Sequence, residues 1–220
     1  GATVPLLKIY KQKHYVERQP GAIRNSFRRL GVTLKNVKNE KKIFLFLLAF
    51  FFFIDGVYTI IDMATAYGTA LGFDSTKLLL ALLVTQIVAF PFAIIFGKLA
   101  NCYKTERLIM ICIGAYFGIA VFAIFLREQW QFWILAVLVG MFQGGIQALS
   151  RSYFAKIIPP EKSGEYFGLM DICGKGASFL GTTVISLISQ VTGHINIGVG
   201  SISLFFVIGM IMFRMAAAEK

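Results

Sequence analysis

Charge is scarce in this chain: Asp, Glu, Lys and Arg make up 15% of its 220 residues, against about 25% in an ordinary globular protein. Cysteine is scarcer still. Cys102, Cys112 and Cys173 are odd in number, far apart and without a CxxC pair, which excludes a disulfide scaffold and a thiolate metal site and leaves them as small apolar fillers. His14 and His194 stand too far apart to share one helix, so no metal ligand set and no cofactor is implied. What fills the place of charge is apolar. Hydrophobic residues reach 57%, with 22 Phe among them, and the mean hydropathy is +0.71. A soluble domain of this size has too little interior to hide that much apolar surface, so the composition is that of a polytopic membrane protein.

A helix needs about 20 apolar residues to cross the hydrocarbon, and six stretches qualify: approximately 43–61, 78–97, 108–126, 132–149, 166–189 and 195–213. The period-2 alternation of a membrane barrel is missing, so the expected fold class is an all-α membrane protein with six transmembrane helices. Short loops make neighbouring spans antiparallel. Six spans put both termini on one side, together with the loops at 98–107 and 150–165. That side collects nineteen of the twenty-two Lys and Arg, and the other keeps Lys77 and Arg127, with Lys175 inside a span. The asymmetry places both termini in the cytoplasm; a bacterial cytoplasmic membrane is the expected location. Trp130 and Trp133 then fall at the outer interface.

The net charge of +11 is concentrated at the start. Residues 1–42 carry eleven Lys and Arg against Glu17 and Glu40, a local charge of +9, leaving +2 for the other 178 residues. A basic segment abutting an apolar run is a flank facing anionic headgroups, and nucleic acid is not an expected partner because no basic folded module with aromatic platforms accompanies it. The expected division is a basic cytoplasmic loop over 1–42, a six-helix bundle over 43–215 and a tail over 216–220. Pro5 to Leu7 resembles the end of an earlier span, and the polar start, with no signal peptide, suggests that more of the protein precedes it.

An ionisable group at mid-bilayer costs roughly 2.5–3.5 kcal/mol, so each one is a functional candidate. On the first span Asp55, Thr59 and Asp62 share a stripe beside Tyr58, with Asp62 expected at the solvated outer end. The second span has Gln86, expected to face a cavity, and Pro91, expected to kink the helix. The fourth has Gln143, Gln147 and Ser150, flanked by a Gly140-x-x-x-Gly144 spacing that reads first as close helix packing. The fifth has Asp171, Lys175, Ser178 and Thr182. Asp171 and Lys175, spaced i,i+4 in the favourable order, can neutralise each other; a structural pair and a substrate or proton site both stay open. No Ser/His pair, HExxH or matched aspartate pair is found, so an intramembrane enzyme is not expected.

The loop after the second span, Gly97-Lys98-Leu99-Ala100-Asn101-Cys102-Tyr103-Lys104-Thr105-Glu106-Arg107, resembles the G-x-L-a-D-R-x-G-R-R loop of the major facilitator superfamily. Gly97, Leu99 and Arg107 match in kind, while Asn101 stands at the usual Asp and Lys104 at the usual Gly. Gln143-Gly144-Gly145-Ile146-Gln147-Ala148-Leu149-Ser150-Arg151, Pro159-Pro160 and Glu165-Tyr166-Phe167-Gly168 are similar to the signature of its vacuolar-effluxer-like branch, related to autophagy-linked amino-acid exporters. Asp55-Gly56-Val57-Tyr58-Thr59-Ile60-Ile61, after the aromatic run 50–53, resembles the N/D-G-V-x-T-I-I stretch of that branch. The resemblance implies the C-terminal half of a twelve-helix transporter, which moves a small solute, amino acids among the candidates, by alternating access. Its partners are then membrane lipids, the solute and an N-terminal six-helix half. It also implies pathway roles for Asp55, Thr59, Gln86, Gln143, Gln147, Asp171 and Lys175. Gly97, Asn101, Lys104, Arg107 and Arg151 become a cytoplasmic gating group, with Arg151 bridging helix ends. The readings left beside it are a non-transporting membrane scaffold and a six-helix half-transporter working as a homodimer.

Overall fold

The computed structural model describes Val37 and residues 40–177 and 179–219. Most of the basic leader at 1–42, with Pro5 to Leu7 and His14, and Ser178 of the fifth-span stripe lie outside the described residues. Among those described there is no strand, and six helical stretches are long and apolar enough to cross a membrane. Four are single helices: α1 (Lys41–Ala70), α2 (Ser75–Cys102), α3 (Thr105–Ile124) and α4 (Gln129–Ile157). The fifth is a 3-10 turn (Pro160–Lys162) followed by α5 (Ser163–Gly176) and α6 (Phe179–Thr192), and the sixth is α7 (Ile195–Ser201) followed by α8 (Ser203–Ala218).

Local chemistry explains where these helices stop. α1 runs past residue 61 to Ala70 because its continuation has three Ala and no proline; it closes ahead of Gly72, whose φ of 79° suits glycine. Asp62 is therefore inside the helix, two turns short of its end, and exposed. Asp74 caps α2 by accepting from the Lys77 amide at 3.0 Å, and a Glu128/Gln131 capping box starts α4. α4 likewise outruns its expected end at 149, since nothing breaks it before Pro159-Pro160. α2 continues through Pro91, which lies on its exposed face.

The fifth span departs most from expectation. It is interrupted: the last helical bond of α5 runs from the Ala177 amide to the Cys173 carbonyl at 3.0 Å, and Ala177 then turns to an extended ψ of 159°. Gly174 and Gly176, both poor helix formers, precede the break.

α1 is the central helix, and its aromatic residues knit the bundle. The Phe46 ring lies 5.2 Å from Tyr153 and 5.3 Å from Phe154 on α4, and 6.1 Å from Phe213 on α8. Glycines allow the closest approaches, because lipid tails supply no hydrophobic drive and tight packing must hold helices together. A Cβ on Gly140 would meet the Thr85 carbonyl oxygen at 2.6 Å, one on Gly144 would meet the Ala93 Cβ at 2.8 Å, and one on Gly145 would meet the Phe96 ring at 2.5 Å. The Gly140-x-x-x-Gly144 spacing is thus the α2–α4 packing face. Thr85 adds a hydrogen bond across it, donating to the Ala136 carbonyl at 3.1 Å. On the outer faces α2 presents Leu79, Leu83, Ile87, Phe90 and Ile94, and α6 presents Phe179, Leu187 and Val191.

Candidate functional site

A cavity of about 350 Å³ lies between α1, α4 and α5. Three helices each line it with two polar side chains one turn apart: Tyr58 and Asp62 from α1, Gln147 and Arg151 from α4, Asp171 and Lys175 from α5. The i,i+4 spacing in every pair puts both members on one helix face. Phe50, Ile54 and Met170 supply apolar wall, and Gly174 is placed beside Phe50, where a Cβ would sit 3.7 Å from its ring.

Arg151 Nη2 lies 2.8 Å from Asp171 Oδ1, an ion pair joining α4 to α5. The i,i+4 spacing leaves a pair with Lys175 and a substrate or proton site both open; the ion pair of Asp171 is with Arg151. The guanidinium reaches the carboxylate from a facing helix with a planar, directional donor set, and Lys175 makes no ion pair among the described residues. Arg151, expected at the helix ends with the cytoplasmic loop, lines the cavity because α4 continues as helix past it. Asp62, expected as a solvated boundary residue, lines it too.

Asp55 and Thr59 do not line the cavity. Both are fully buried on α1, where the Thr59 hydroxyl donates to Asp55 Oδ1 at 3.3 Å. The same oxygen accepts from the backbone amide of Gly181, also at 3.3 Å, in the first turn of α6. A carboxylate at a helix N-terminus is stabilised by the outward-pointing amides and the helix dipole. Gly181 is what allows the approach, since a Cβ there would collide with the Thr59 side chain.

The remaining predicted residues are dispersed. Gln86 is exposed on α2 and borders a cleft of about 20 Å³ shared with Phe132 and Leu135, none of which lines the charged cavity. Gln143 is half-buried on α4, with its Oε1 buried and unpartnered. Gly97, Asn101 and Arg107 are exposed where α2 gives way to α3, and Lys104 lines a second pocket. The signal that would have gathered the cavity was the repeated i,i+4 spacing of polar residues on three spans, Tyr58/Asp62 and Gln147/Arg151 included.

Such a cavity can hold a small solute bearing charge of either sign, since it offers a guanidinium, an ammonium and two carboxylates at close quarters. Among the described residues no three His, Cys, Asp or Glu side chains gather as metal ligands.

Comparison with known proteins agrees with this architecture. The chain is 46% identical over 217 residues to the MFS-type transporter YxiO of Bacillus subtilis, covering 99% of this chain and 51% of that protein. It is 26% identical to autophagy-related protein 22-2 of Aspergillus niger, covering 89% of this chain and 35% of the relative, and 29% identical over 176 residues to autophagy-related protein 22 of Saccharomyces cerevisiae, covering 74% and 33%. The chain thus spans about half of the bacterial relative and about a third of the fungal ones. The family profile described as vacuole effluxer Atg22 like matches residues 2–220. By that match over nearly its whole length, the chain belongs to the vacuole effluxer Atg22-like family, a branch of the major facilitator superfamily.

Proposed function

We propose that the full-length protein is a secondary-active transporter of a small charged or zwitterionic solute, amino acids included, and that this chain is the C-terminal six-helix half of a twelve-helix protein. The observation that carries the reading is the set of four charged side chains, Asp62, Arg151, Asp171 and Lys175, around one cavity in otherwise apolar spans. Each charge placed within a span costs roughly 2.5–3.5 kcal/mol, and a helical scaffold with no solute has no use for four of them. A solute carboxylate suits Arg151 and Lys175, while an ammonium suits Asp62 and Asp171. Rocking of two halves about such a site alternates its access.

The exposed apolar faces of α2 and α6 suit contact with a second six-helix half. The bacterial relative, about twice as long as this chain and named an MFS-type transporter, supports that arrangement over a homodimer of six-helix chains. The excess of Lys and Arg on one side supports cytoplasmic termini in a bacterial membrane. The test is uptake by the full-length protein in proteoliposomes, screened first against amino acids. Arg151→Gln and Lys175→Gln should each lose transport while inserting normally. Wild-type rates in both variants would overturn the assignment of the cavity.

A further inference from the structure

At the end of the bundle where α1 begins and α4 ends lies a second pocket, of about 360 Å³, sharing no lining residue with the charged cavity. Three lysines line it from three places: Lys42 in the first turn of α1, Lys104 immediately before α3, and Lys156 in the last turn of α4. Glu106 is the one carboxylate on its lining, so the local formal charge is +2. Lys156 Nζ donates to Thr105 Oγ1 at 3.1 Å, which fixes its ammonium at the opening of α3, where unpaired backbone amides add positive potential. None of the three lysines forms an ion pair among the described residues. Three cations against one carboxylate repel one another on balance, and an anion relieves that repulsion.

We infer that this pocket binds the phosphate of an anionic phospholipid headgroup. Depth is the first reason. The apolar run of α1 starts at Ile43, directly after Lys42, so the Lys42 ammonium stands at the edge of the hydrocarbon, where headgroups lie, and Lys104 and Lys156 line the same pocket. The lining is the second. Tyr103 is exposed there and Ile157 lies beside it, giving a lipid apolar surface that free phosphate cannot use. The third is the side of the membrane: the pocket lies on the Lys- and Arg-rich side, which attracts anionic lipids. The inference is independent of what the central cavity carries.

The full-length protein, delipidated in neutral detergent, is titrated with phosphatidylglycerol, with phosphatidylcholine and with inorganic phosphate, and bound lipid is read by native mass spectrometry. Phosphatidylglycerol should be retained over phosphatidylcholine, and its retention should fall about fivefold for each lysine removed in Lys104→Gln and in Lys42→Gln/Lys104→Gln. Both lysines stand at helix ends, and the melting temperature of each variant without lipid is compared with wild type to establish that it folds. Equal retention of the two lipids, or undiminished phosphatidylglycerol binding by a folded double variant, would overturn the inference. Displacement of phosphatidylglycerol by millimolar inorganic phosphate would overturn the lipid assignment in favour of a free-anion site.

Discussion

The buried carboxylate of Asp55 on α1 accepts the backbone amide of Gly181 in the first turn of α6, at 3.3 Å. An acidic side chain on the central helix therefore stands at the N-terminus of the half-helix that follows the break in the fifth span. The contact gives that interruption a partner inside the bundle, as backbone freed within a membrane requires. It also gives Asp55 a structural role beside any part in transport.

Asp55→Ala removes both the acceptor and the charge, whereas Asp55→Asn keeps an acceptor oxygen. Charge at a partly buried helix N-terminus contributes up to about 2 kcal/mol, and a hydrogen bond about 1 kcal/mol. Thermal unfolding of the full-length protein in detergent should rank wild type above Asp55→Asn and Asp55→Ala lowest. Equal melting of wild type and Asp55→Ala would dismiss the contact as a stabilising one.

Gly181→Ala tests the approach that makes the contact possible. Its Cβ would stand 2.9 Å from the Thr59 Cβ, so α1 and α6 must separate, at about 1–3 kcal/mol. Gly176→Ala is the control, because open space surrounds that position; it should melt within about 0.5 kcal/mol of wild type. The same loss in both variants would mean that glycine flexibility at the break, and not clearance, sets the cost.

The six spans were legible in the sequence because the bilayer demands about 20 apolar residues from every crossing helix, a local requirement that hydropathy reads directly. The break after Gly176 was not, since it is bound up with a contact between Asp55 and Gly181, 126 residues apart. The place of Arg151 in the cavity is hidden from the sequence for a related reason. Hydropathy fades near residue 149, yet the α4 hydrogen-bond ladder continues to Ile157, carrying Arg151 one turn beyond Gln147 on the same face. The Asp171–Lys175 spacing puts both side chains on one helix face, but periodicity within one helix says nothing about what a neighbouring helix brings, and Arg151 comes from α4. Gly140-x-x-x-Gly144 is legible as packing, since close approach is the physical meaning of small residues at that spacing.

Gly144→Leu should disrupt the α2–α4 contact. The nearest atoms to a Cβ there are the Ala93 Cβ at 2.8 Å and the Ala89 carbonyl oxygen at 2.9 Å, neither able to swing aside. Gly118→Leu on α3, where nothing lies within 4 Å, should insert and melt as wild type. Size-exclusion profiles and melting curves of the two variants in detergent make the comparison; a well-folded Gly144→Leu protein would mean that α2 can slide on α4.

The Arg151–Asp171 pair separates stability from transport. Its side chains are 57% and 48% exposed in this six-helix chain, and an ion pair that faces a water-filled cavity contributes only about 0–1 kcal/mol to folding. Arg151→Gln and Asp171→Asn should therefore melt close to wild type. Transport should respond differently. Arg151→Gln frees Asp171 to turn to Lys175 on its own helix, and Asp171→Asn leaves two cations facing each other across the cavity, so each variant presents the solute with the wrong charge pattern. Uptake should fall at least tenfold (about 1.4 kcal/mol of lost stabilisation) in both. The exchanged variant, Arg151→Asp with Asp171→Arg, re-forms the pair and should recover part of the loss. Melting and uptake measured on the same preparations decide the role: a parallel fall in both would make the pair a helix–helix strut, whereas loss of uptake alone makes it part of the solute site.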